Sequence, residues 1–392
     1  MSRPRYEVAD VFRQYGDGYC RHYSISPGQL KVLNLLKACR TAALGGHIEQ
    51  CDHCGHERPA YNSCRNRHCP KCQIMAKEQW LNNRRAELLP CGYFHKVFTL
   101  PHDLNPLILC NKKQLLGLIF EAVNEALTLF AKDPQWRLTG KTGFIGVLHT
   151  WSQTLMDHFH LHCLIPAGVL SFDENRWQAS RKKFLFKITS LAKAFKRIYL
   201  QKLIGLYKKE ELQFPGKSEC FQSPDGFYRL VAKVRRKDWI AYAKRPFAGP
   251  EQVLEYLGRY THRIAISNHR ILDIQNGKIT FSYRDRSDKN RKKWMTLEAK
   301  EFIRRFLMHV LPDGFVKIRY FGFLAHRNKN RCIPLIRSLI DPHAEPPKKI
   351  EETVLEIMFR VTGMDITCCP ACKKGKMRPI RGIEKPEICD SS

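Results

Sequence analysis

In His158-Phe159-His160-Leu161-His162-Cys163-Leu164-Ile165, polar and apolar residues alternate along most of the stretch. In a β-strand this period of two places the three histidines on one face, and Leu161, Cys163 and Ile165 on the other. Imidazoles at successive positions of one face lie about 7 Å apart, close enough for two of them to share a metal ion. The stretch therefore predicts a β-strand with a metal site on one face.

A second strand-like run, GFIGVLHTW at 143–151, precedes the histidine strand and carries His149. A hairpin between the two strands would place His149 beside His160 and His162 as a third ligand. Three imidazoles leave coordination positions open for water and a phosphate oxygen, which a Lewis-acid metal requires. The chain contains no HExxH motif, so a zinc protease is not favoured.

The segments around these two strands indicate an α+β fold with an antiparallel sheet. Residues 94–100 are typical of a strand, and residues 111–131 have the apolar spacing of a long helix. Farther along, Asn276-Gly277 supplies the two-residue turn of a hairpin between ILDIQ and KITFSYR. We predict that this α+β domain spans residues 91–342.

The two ends of the chain differ from the middle. Residues 7–45 contain two segments with the apolar spacing of helices, and a cluster of cysteines follows them. Residues 343–350 read HAEPPKKI, which is typical of a linker. We therefore predict a helical, zinc-binding domain over residues 1–90, and a linker with a short cysteine-bearing tail over residues 343–392.

The charge of the chain indicates a polyanionic partner. Its 392 residues include 67 Lys and Arg against 37 Asp and Glu, which gives a net charge of +30. This is too basic for most metabolic enzymes and points to nucleic acid. A hydrophobic content of 43% excludes general disorder. Because the chain has neither an apolar run of about 18 residues nor a secretion signal, we expect a cytoplasmic protein with no membrane partner.

Sixteen cysteines in a chain expected to be cytoplasmic are better explained as metal ligands than as disulfides. Two Cys-x2-Cys pairs lie close together and predict one structural Zn²⁺ site, whose ligands would be Cys51, Cys54, Cys69 and Cys72. Four free thiols are the alternative, which the proximity of so many oxidisable groups makes improbable. Ligand exchange or a second site stays open, with Cys39, His47, Cys64 and His68 as the candidate ligands.

A further cysteine group lies at the C-terminal end. Cys369-x2-Cys372, together with Cys368 and Cys389, resembles half a zinc ribbon. The spacing leaves open whether this group binds a second ion.

Two tyrosines lie four residues apart in a helix predicted to begin at Gly249-Pro250-Glu251. On a helical wheel, Tyr256 and Tyr260 edge the face that Val253 would bury, so their hydroxyls project toward the surface on which the helix packs. If that surface carries the histidines, two nucleophiles meet one metal ion. A tyrosine that attacks a DNA phosphate must lose a proton whose free pKa is about 10, and the phosphate must be polarised. The alternative is an aromatic pair that fills a helix–sheet interface.

Two basic stretches are candidates for DNA contacts. Arg65 and Arg67 lie in the cysteine loop, where they would bind phosphates. The second stretch follows the hairpin and would line a channel for single-stranded DNA, with Tyr283 and Trp294 available to stack on bases. Its basic residues include Arg284, Arg286, Arg291, Lys292 and Lys293. A solvated surface is the alternative for both stretches.

Seven segments of the chain resemble the insertion sequence 91 family of transposases, the two-tyrosine members of the HUH endonuclease superfamily. They are CRTAALGGH (39–47), YNSCRNRHCPKCQ (61–73), FTLPHDL (98–104), VLHTWSQTL (147–155), HFHLHCLIP (158–166), YAKRPFAGPEQVLEYLGRYTHRIAIS (242–267) and LPDGFVKIRYFGFLA (311–325). The resemblance covers nearly the whole chain. The family usually has proline where this chain has Phe159, a difference that leaves both histidines of the motif in place.

The resemblance implies an HUH nuclease core flanked by helices, and it implies roles for individual residues. His160 and His162 match the HUH metal ligands, and Tyr256 and Tyr260 match the nucleophiles. His149 matches a third ligand only through a spacing similar to that of conjugative relaxases. The cysteine cluster matches the N-terminal zinc domain of the family, and Mg²⁺ or Mn²⁺ is the implied catalytic ion.

The function implied by the resemblance is DNA transposition of the rolling-circle type. The enzyme would nick single-stranded DNA at the terminus of its element, form a 5′-phosphotyrosine intermediate, and transfer the strand to a target. Its partners would be single-stranded DNA at the termini and at the target, in the bacterial cytoplasm at the nucleoid. Self-association of the chain stays open.

Three other functions compete with this interpretation. A plasmid replication initiator or a relaxase would use the same chemistry at an origin, and only the setting of the gene separates it from a transposase. A non-catalytic, zinc-dependent nucleic-acid binder would use the histidines structurally and form no covalent adduct. A transposase built on an acidic triad is set aside, because no constellation of carboxylates stands out among the 37 acidic residues.

Overall fold

The computed structural model of the protein describes residues 4–180, 185–247, 252–253, 258, 265–285, 287–343 and 351–386. The helices of these residues are α1 (Val8–His22), α2 (Pro27–Ala38), α3 (Pro70–Arg85), α4 (Asn105–Cys110), α5 (Lys112–Lys132), α6 (Ile188–Lys208), α7 (Pro224–Arg236), α8 (Ala299–Met308), α9 (His326–Ile340) and α10 (Val354–Thr362). The strands are β1 (Gly46–Cys51), β2 (Glu57–Tyr61), β3 (Tyr93–Thr99), β4 (Gly143–Trp151), β5 (Asp157–Pro166), β6 (Gly168–Leu170), β7 (Trp177–Ala179), β8 (Ala241–Phe247), β9 (Ile271–Gln275), β10 (Lys278–Asp285), β11 (Arg291–Glu298), β12 (Ile318–Gly322) and β13 (Met377–Ile383).

The largest sheet has five antiparallel strands in the order β12-β4-β5-β3-β8. The alternating sequence of β5 explains its central position, because the side chains of Leu161, Cys163 and Ile165 are fully buried in the core that α5 and α6 share with the sheet. Burial of one large aliphatic side chain contributes about 1.5–3 kcal/mol, so this apolar face fixes the register of the strand. The prediction of an α+β fold with an antiparallel sheet is confirmed.

Helix α5 is long and apolar enough, by length and composition, to cross a membrane. In the folded chain, 56% of its apolar window is buried. Leu116, Phe120 and Val123 lie in the core beneath the sheet. Packing against the sheet and α6 therefore accounts for the apolar sequence of this helix.

The opposite face of the sheet carries the histidines and, next to them, a second apolar cluster. Ile145 of β4 and Leu164 of β5 pack there with Ile336 of α9. Val253 is fully buried in the same cluster. Val253 thus lies on the histidine face of the sheet.

A second antiparallel sheet has the order β11-β10-β9. The predicted hairpin is present, with Asn276 at φ 49° and Gly277 at φ 73°, as a two-residue turn of type I′ requires. This sheet packs on α1 and α8, where the rings of Phe12 and Phe306 meet edge to face with centroids 5.2 Å apart. The N-terminal helices therefore rest on elements from the second half of the chain.

A third sheet joins the two ends of the chain, with the order β13-β1-β2. β13 pairs with β1 in antiparallel register from Gly46↔Ile383 to Cys51↔Met377. The segment predicted as a separate tail is thus a strand of the sheet that belongs to the N-terminal cysteine region. Pairing between segments so far apart has no local signal in the sequence, because the backbone hydrogen bonds of each strand are made to the other strand.

Candidate metal centres and basic surface

Three histidines from two adjacent strands converge at one point of the central sheet. His149 of β4 pairs directly with His160 of β5, and His162 follows two residues later on the same face. The candidate ligand nitrogens of the three residues lie within 4.8 Å of one another. Each residue is at most 9% exposed. The structure thus brings together the three histidines proposed as ligands, and their donor set fits a divalent ion.

The hydrogen bonds of these rings indicate which nitrogens face the common point. Nδ1 of His160 lies 2.8 Å from the carbonyl oxygen of His158. Because a carbonyl only accepts, Nδ1 carries the proton and Nε2 keeps the lone pair that a metal needs. Nδ1 of His162 lies 2.8 Å from Nε2 of His95. This hydrogen bond likewise leaves Nε2 of His162 facing the point at which the three histidines converge.

His95 is a candidate functional residue that the sequence interpretation missed. It is 3% exposed on β3 and pairs with Leu164, two residues beyond His162 on the same face. Its ring stacks on that of His162 with centroids 5.1 Å apart. The available signal was weak, because His95 is followed by Lys96 and the strand YFHKVFT does not alternate between polar and apolar residues. Partners of this kind fix the tautomer and orientation of a ligating imidazole.

The third histidine of the predicted strand takes a different position. His158 is half-buried, and its ring centroid lies 4.7 Å from that of His160. It is not one of the three residues whose nitrogens converge. Its backbone carbonyl contributes to the centre, through the hydrogen bond with His160.

Tyr256, Tyr260 and Arg286 lie outside the described residues. Two residues close to the tyrosines in sequence are described. Val253 is buried on the histidine face, and Gly258 lies so close to α3 that a Cβ built on it would meet Cδ1 of Leu81 at 2.9 Å. The role of the tyrosines stays a prediction.

The cysteines form two clusters, and neither has the predicted set of ligands. The first contains Cys39, Cys64, Cys69 and Cys72, and the second contains Cys51, Cys54, Cys369 and Cys372. The two Cys-x2-Cys pairs that were predicted to share one ion are thus separated. The spacing of such a pair shows that it chelates, but it carries no information about which distant pair completes the tetrahedron.

The distances within both clusters fit zinc. Four thiolates at about 2.3 Å from a tetrahedral ion are separated by about 3.8 Å. In the first cluster, Sγ of Cys72 lies 3.7 Å from that of Cys39 and 3.6 Å from that of Cys64. Of the residues predicted as alternative ligands, Cys39 and Cys64 belong to the first cluster, whereas His47 and His68 belong to neither.

Helix α3 supports the first cluster from one side. Cys69 is its N-cap, and Cys72 lies in the first turn after Pro70. The partial positive charge at a helix N-terminus favours thiolates over thiols at these positions. Cys39 follows the end of α2 and is fully buried, so the metal site links the two helices.

The basic residues of the cysteine loop have different environments. Arg65 is exposed, whereas the guanidinium of Arg67 donates to the backbone carbonyls of Phe315, Leu311 and Pro312. Burial also lowers the pKa of Arg67. Arg67 thus holds the 311–315 loop in place, and its contact with DNA stays a prediction.

The β10–β11 hairpin presents an exposed basic and aromatic face. The register pairs Arg284 with Lys292 and Ser282 with Trp294, which places Arg284, Lys292 and Trp294 on one side. Trp294 is 66% exposed. Lys293 is engaged by the carboxylates of Asp285 at 2.8 Å and Asp288 at 3.1 Å. Arg291 lies 3.7 Å from Asp288. The side of the hairpin that carries Trp294 thus also carries the charges of Arg284 and Lys292.

Comparison with known proteins finds transposase matches for the region of the histidine centre and for the N-terminal cysteine region. Residues 143–332 match the family model described as “Putative transposase”, and residues 11–100 match the one described as “Transposase zinc-binding domain”. The chain is 44% identical over 395 residues to “Putative transposase y4qJ” of Sinorhizobium fredii (strain NBRC 101917 / NGR234), with 99% of each chain covered. It is 28% identical over 311 residues to “Transposase for insertion sequence element IS801” of Pseudomonas savastanoi pv. phaseolicola, with 79% of this chain and 73% of the relative covered. No solved structure matches the chain.

Proposed function

Because this chain belongs to the insertion sequence 91 family of transposases, we propose that it cuts single-stranded DNA with a tyrosine beside a histidine-bound divalent ion. Its function is DNA transposition, and its partner is DNA. The observation that carries the finer proposal is the convergence of His149, His160 and His162 on one face of an antiparallel sheet. We propose residues 91–342 as the catalytic HUH domain that presents this site.

The three histidines would hold the catalytic ion. When bound, a divalent ion would polarise a phosphate oxygen of the DNA and stabilise the negative charge of the transition state. His95 and the carbonyl of His158 keep the two β5 rings oriented. Imidazole suits transition-metal ions better than Mg²⁺, so we expect Mn²⁺ to support the reaction at lower concentration than Mg²⁺.

Tyr256 and Tyr260 are the proposed nucleophiles. The phenolic oxygen attacks phosphorus and loses its proton to solvent, while the bond from phosphorus to the 3′-oxygen breaks and this oxygen takes up a proton. The products are a 5′-phosphotyrosine and a free 3′-hydroxyl. Because the new ester conserves the energy of the phosphodiester, a 3′-hydroxyl of the target can attack it and complete the transfer. Two tyrosines permit two such links without release of either strand.

The single strand would approach along the β10–β11 hairpin. Arg284 and Lys292 offer positive charge to the DNA backbone, and Trp294 offers a ring on which a base can stack. The high positive charge of the chain increases its association with the DNA of the bacterial nucleoid, where we propose that it acts.

A covalent-adduct assay tests the proposal. Purified protein is incubated with labelled single-stranded DNA that carries the end of the element, with Mn²⁺, Mg²⁺ or EDTA, and is then separated on a denaturing gel. We expect a protein–DNA band that requires the metal. The band should vanish in the double variant Tyr256→Phe/Tyr260→Phe and in His160→Ala/His162→Ala, while each variant still binds the DNA.

The outcome also separates the competing functions. Tight binding without an adduct on either terminus would favour the non-catalytic binder. An adduct that forms only on a plasmid origin would favour a replication initiator or a relaxase. Tyr242→Phe is a suitable control, because this tyrosine is 53% exposed on β8 and is not a proposed nucleophile.

A further inference from the structure

We propose that the protein binds a second zinc ion through Cys51, Cys54, Cys369 and Cys372, and that this ion joins the two ends of the chain. The match to the transposase zinc-binding domain ends at residue 100, so it contains only the first of these two cysteine pairs. The inference does not depend on the chemistry proposed for the histidines and tyrosines.

The sulfur atoms have the separation that a tetrahedral zinc site requires. Sγ of Cys51 lies 3.7 Å from that of Cys372, and Sγ of Cys54 lies 3.7 Å from that of Cys369. All four lie within 4.8 Å of one another. Thiolates at about 2.3 Å from zinc would be about 3.8 Å apart, so the four side chains already have the geometry of a bound site.

Backbone amides surround the sulfurs in both pairs. The N–H groups of His53 and Cys54 donate to Sγ of Cys51 at 3.4 and 3.5 Å. In the other pair, the N–H of Gly375 donates to Sγ of Cys372 at 3.4 Å. Donors of this kind stabilise a thiolate and orient it toward a metal. Each pair thus has the local geometry of a chelating knuckle without any contribution from the other pair.

Gly375 permits the close approach of the two knuckles. A Cβ built on this residue would lie 2.5 Å from Sγ of Cys51 and 2.6 Å from Cβ of His53. Any side chain here would therefore push the C-terminal knuckle away from the N-terminal one. The glycine fits a site that is shared between the two segments.

The apolar contacts around the four cysteines are few. The buried cluster at this point consists of Cys51, Cys369 and Met377, with Cys372 partly buried. Most of the cluster therefore consists of cysteines whose sulfur atoms would bind the metal. Small ribbons with so little core depend on their metal for folding, so the pairing of β13 with β1 is expected to require the ion.

The arrangement has a consequence for how the N-terminal region folds. β1 lies between β2 and β13 in its sheet, so one edge of β1 is unpaired until the chain has been made as far as Ile383. The zinc-binding region is thus completed by residues that follow the whole catalytic domain. We expect a chain that lacks its C-terminal segment to hold one zinc ion instead of two.

Zinc stoichiometry of the full-length protein tests the proposal. All proteins in this test also carry His160→Ala/His162→Ala, because zinc bound at the histidine centre would otherwise add to the count. Inductively coupled plasma mass spectrometry should find two zinc ions per chain of this background protein. The double variants Cys51→Ser/Cys54→Ser and Cys369→Ser/Cys372→Ser should each bind one. The quadruple variant should also bind one, because both pairs serve the same ion. Cys110→Ser/Cys220→Ser, which removes two cysteines outside both clusters, should keep two.

Two results would overturn the inference. One is a background protein, purified in excess zinc, that holds a single ion. The other is a Cys369→Ser/Cys372→Ser variant that still holds two. A variant that loses both ions through misfolding is recognised by limited proteolysis, because the proposed defect exposes β13 and the edge of β1 with which it pairs, and leaves the central sheet protected.

Cobalt substitution gives an independent readout. Co²⁺ in a tetrahedral four-thiolate site shows strong thiolate-to-metal charge transfer, which reports the ligand set directly. The charge-transfer intensity should fall by about half in either double variant, in line with the loss of one of two equivalent four-thiolate sites. Unchanged intensity in Cys369→Ser/Cys372→Ser would contradict a shared site.

Discussion

Burial decides the protonation of histidines close to the central sheet. His309 is 2% exposed, its Nε2 donates to the carbonyl of Leu155 at 3.0 Å, and its Nδ1 lies 3.3 Å from Oγ1 of Thr150. The neutral ring satisfies both contacts with one donor and one acceptor. Desolvation of the charged form lowers the pKa of His309 to about 4. This residue thus supports the end of β4 next to His149 only while it is neutral.

The free energy of unfolding should therefore fall in mildly acidic solution. The pKa of His309 is about 6.5 in the unfolded chain and about 4 in the folded one, so its contribution is complete above pH 6.5 and decreases as the pH falls toward 4. Between pH 7 and 5.5 the loss amounts to about 1 kcal/mol. Urea unfolding followed by tryptophan fluorescence should show a smaller decrease over this range in His309→Gln than in the wild type. Equal decreases in the two proteins would refute the assignment.

The contact between His95 and His162 predicts a positioning role. We expect His95→Ala to weaken Mn²⁺ binding at the histidine centre by about 10- to 100-fold, because the ligating ring loses the partner that fixes its tautomer. His95→Gln, which keeps a hydrogen-bonding group, should recover part of the affinity. Calorimetric titration measures both effects, and His22→Ala on α1 serves as the control. If Ala and Gln variants bind Mn²⁺ as the wild type does, His95 only packs.

At the scale of elements, the pairing of the edge strand β12 with β4 requires a close approach of the two backbones. Gly322 ends β12 at φ 61°, and its N-terminal neighbours pair with β4 as far as Phe144. A Cβ at Gly322 would collide with the carbonyl oxygen of Thr142. The strand thus ends where only glycine fits, and Phe323 turns into the cluster on the histidine face.

A matched pair of glycine variants measures this contact. Gly216 also has a positive φ, 56°, but a Cβ there meets nothing within 4 Å. We expect Gly216→Ala to cost about 1 kcal/mol for the left-handed backbone alone. Gly322→Ala should cost about 3 kcal/mol or more, since the collision adds to the same backbone term. Similar losses for both variants in urea unfolding would show that β12 can shift without penalty.

The β10–β11 hairpin makes a prediction about DNA. Trp294→Ala should weaken binding to single-stranded DNA by about 1–3 kcal/mol if a base stacks on the ring, with little change in thermal stability because the side chain is 66% exposed. Tyr228→Ala, at a 43% exposed aromatic residue on α7, is the matched control. Fluorescence anisotropy at fixed salt compares the two. Equal effects of both variants would mean that the hairpin does not bind bases.

At the scale of the whole molecule, two kinds of stabilisation are separate in space. The central sheet, α5 and α6 share a large apolar core. The β13-β1-β2 sheet has a buried cluster made mainly of cysteines. The first should fold on the strength of burial alone, whereas the second should depend on its metal.

Removal of zinc by a thiol-competing chelator should therefore act on the two cysteine clusters and spare the central sheet. Hydrogen exchange is expected to lose the protection of β1, β2 and β13, while β4 and β5 keep theirs. Addition of zinc should restore the lost protection. Simultaneous loss in β4 and β5 would show that the two regions unfold as one unit.

The sequence predicted those parts of the fold whose signals are local. Alternation in 158–165 predicted the central strand, apolar spacing predicted α5, and Asn276-Gly277 predicted the hairpin. The convergence of His149 with His160 was also within reach, because a hairpin between neighbouring strands has few registers that bury both apolar faces. His95 was missed because it comes from a strand that is not adjacent in the chain.

The fold class, the family resemblance and the residue types that bind metal could be predicted from the sequence, because they depend on periodicity and on short spacings. The grouping of the cysteines, the structural contacts of Arg67 and the place of β13 in the N-terminal sheet became visible in the folded chain. The physical reason is the same in each case. A ligand pair, a guanidinium or a strand edge is satisfied by whichever partner the fold brings near, and the spacing along the chain does not record that partner when it lies hundreds of residues away.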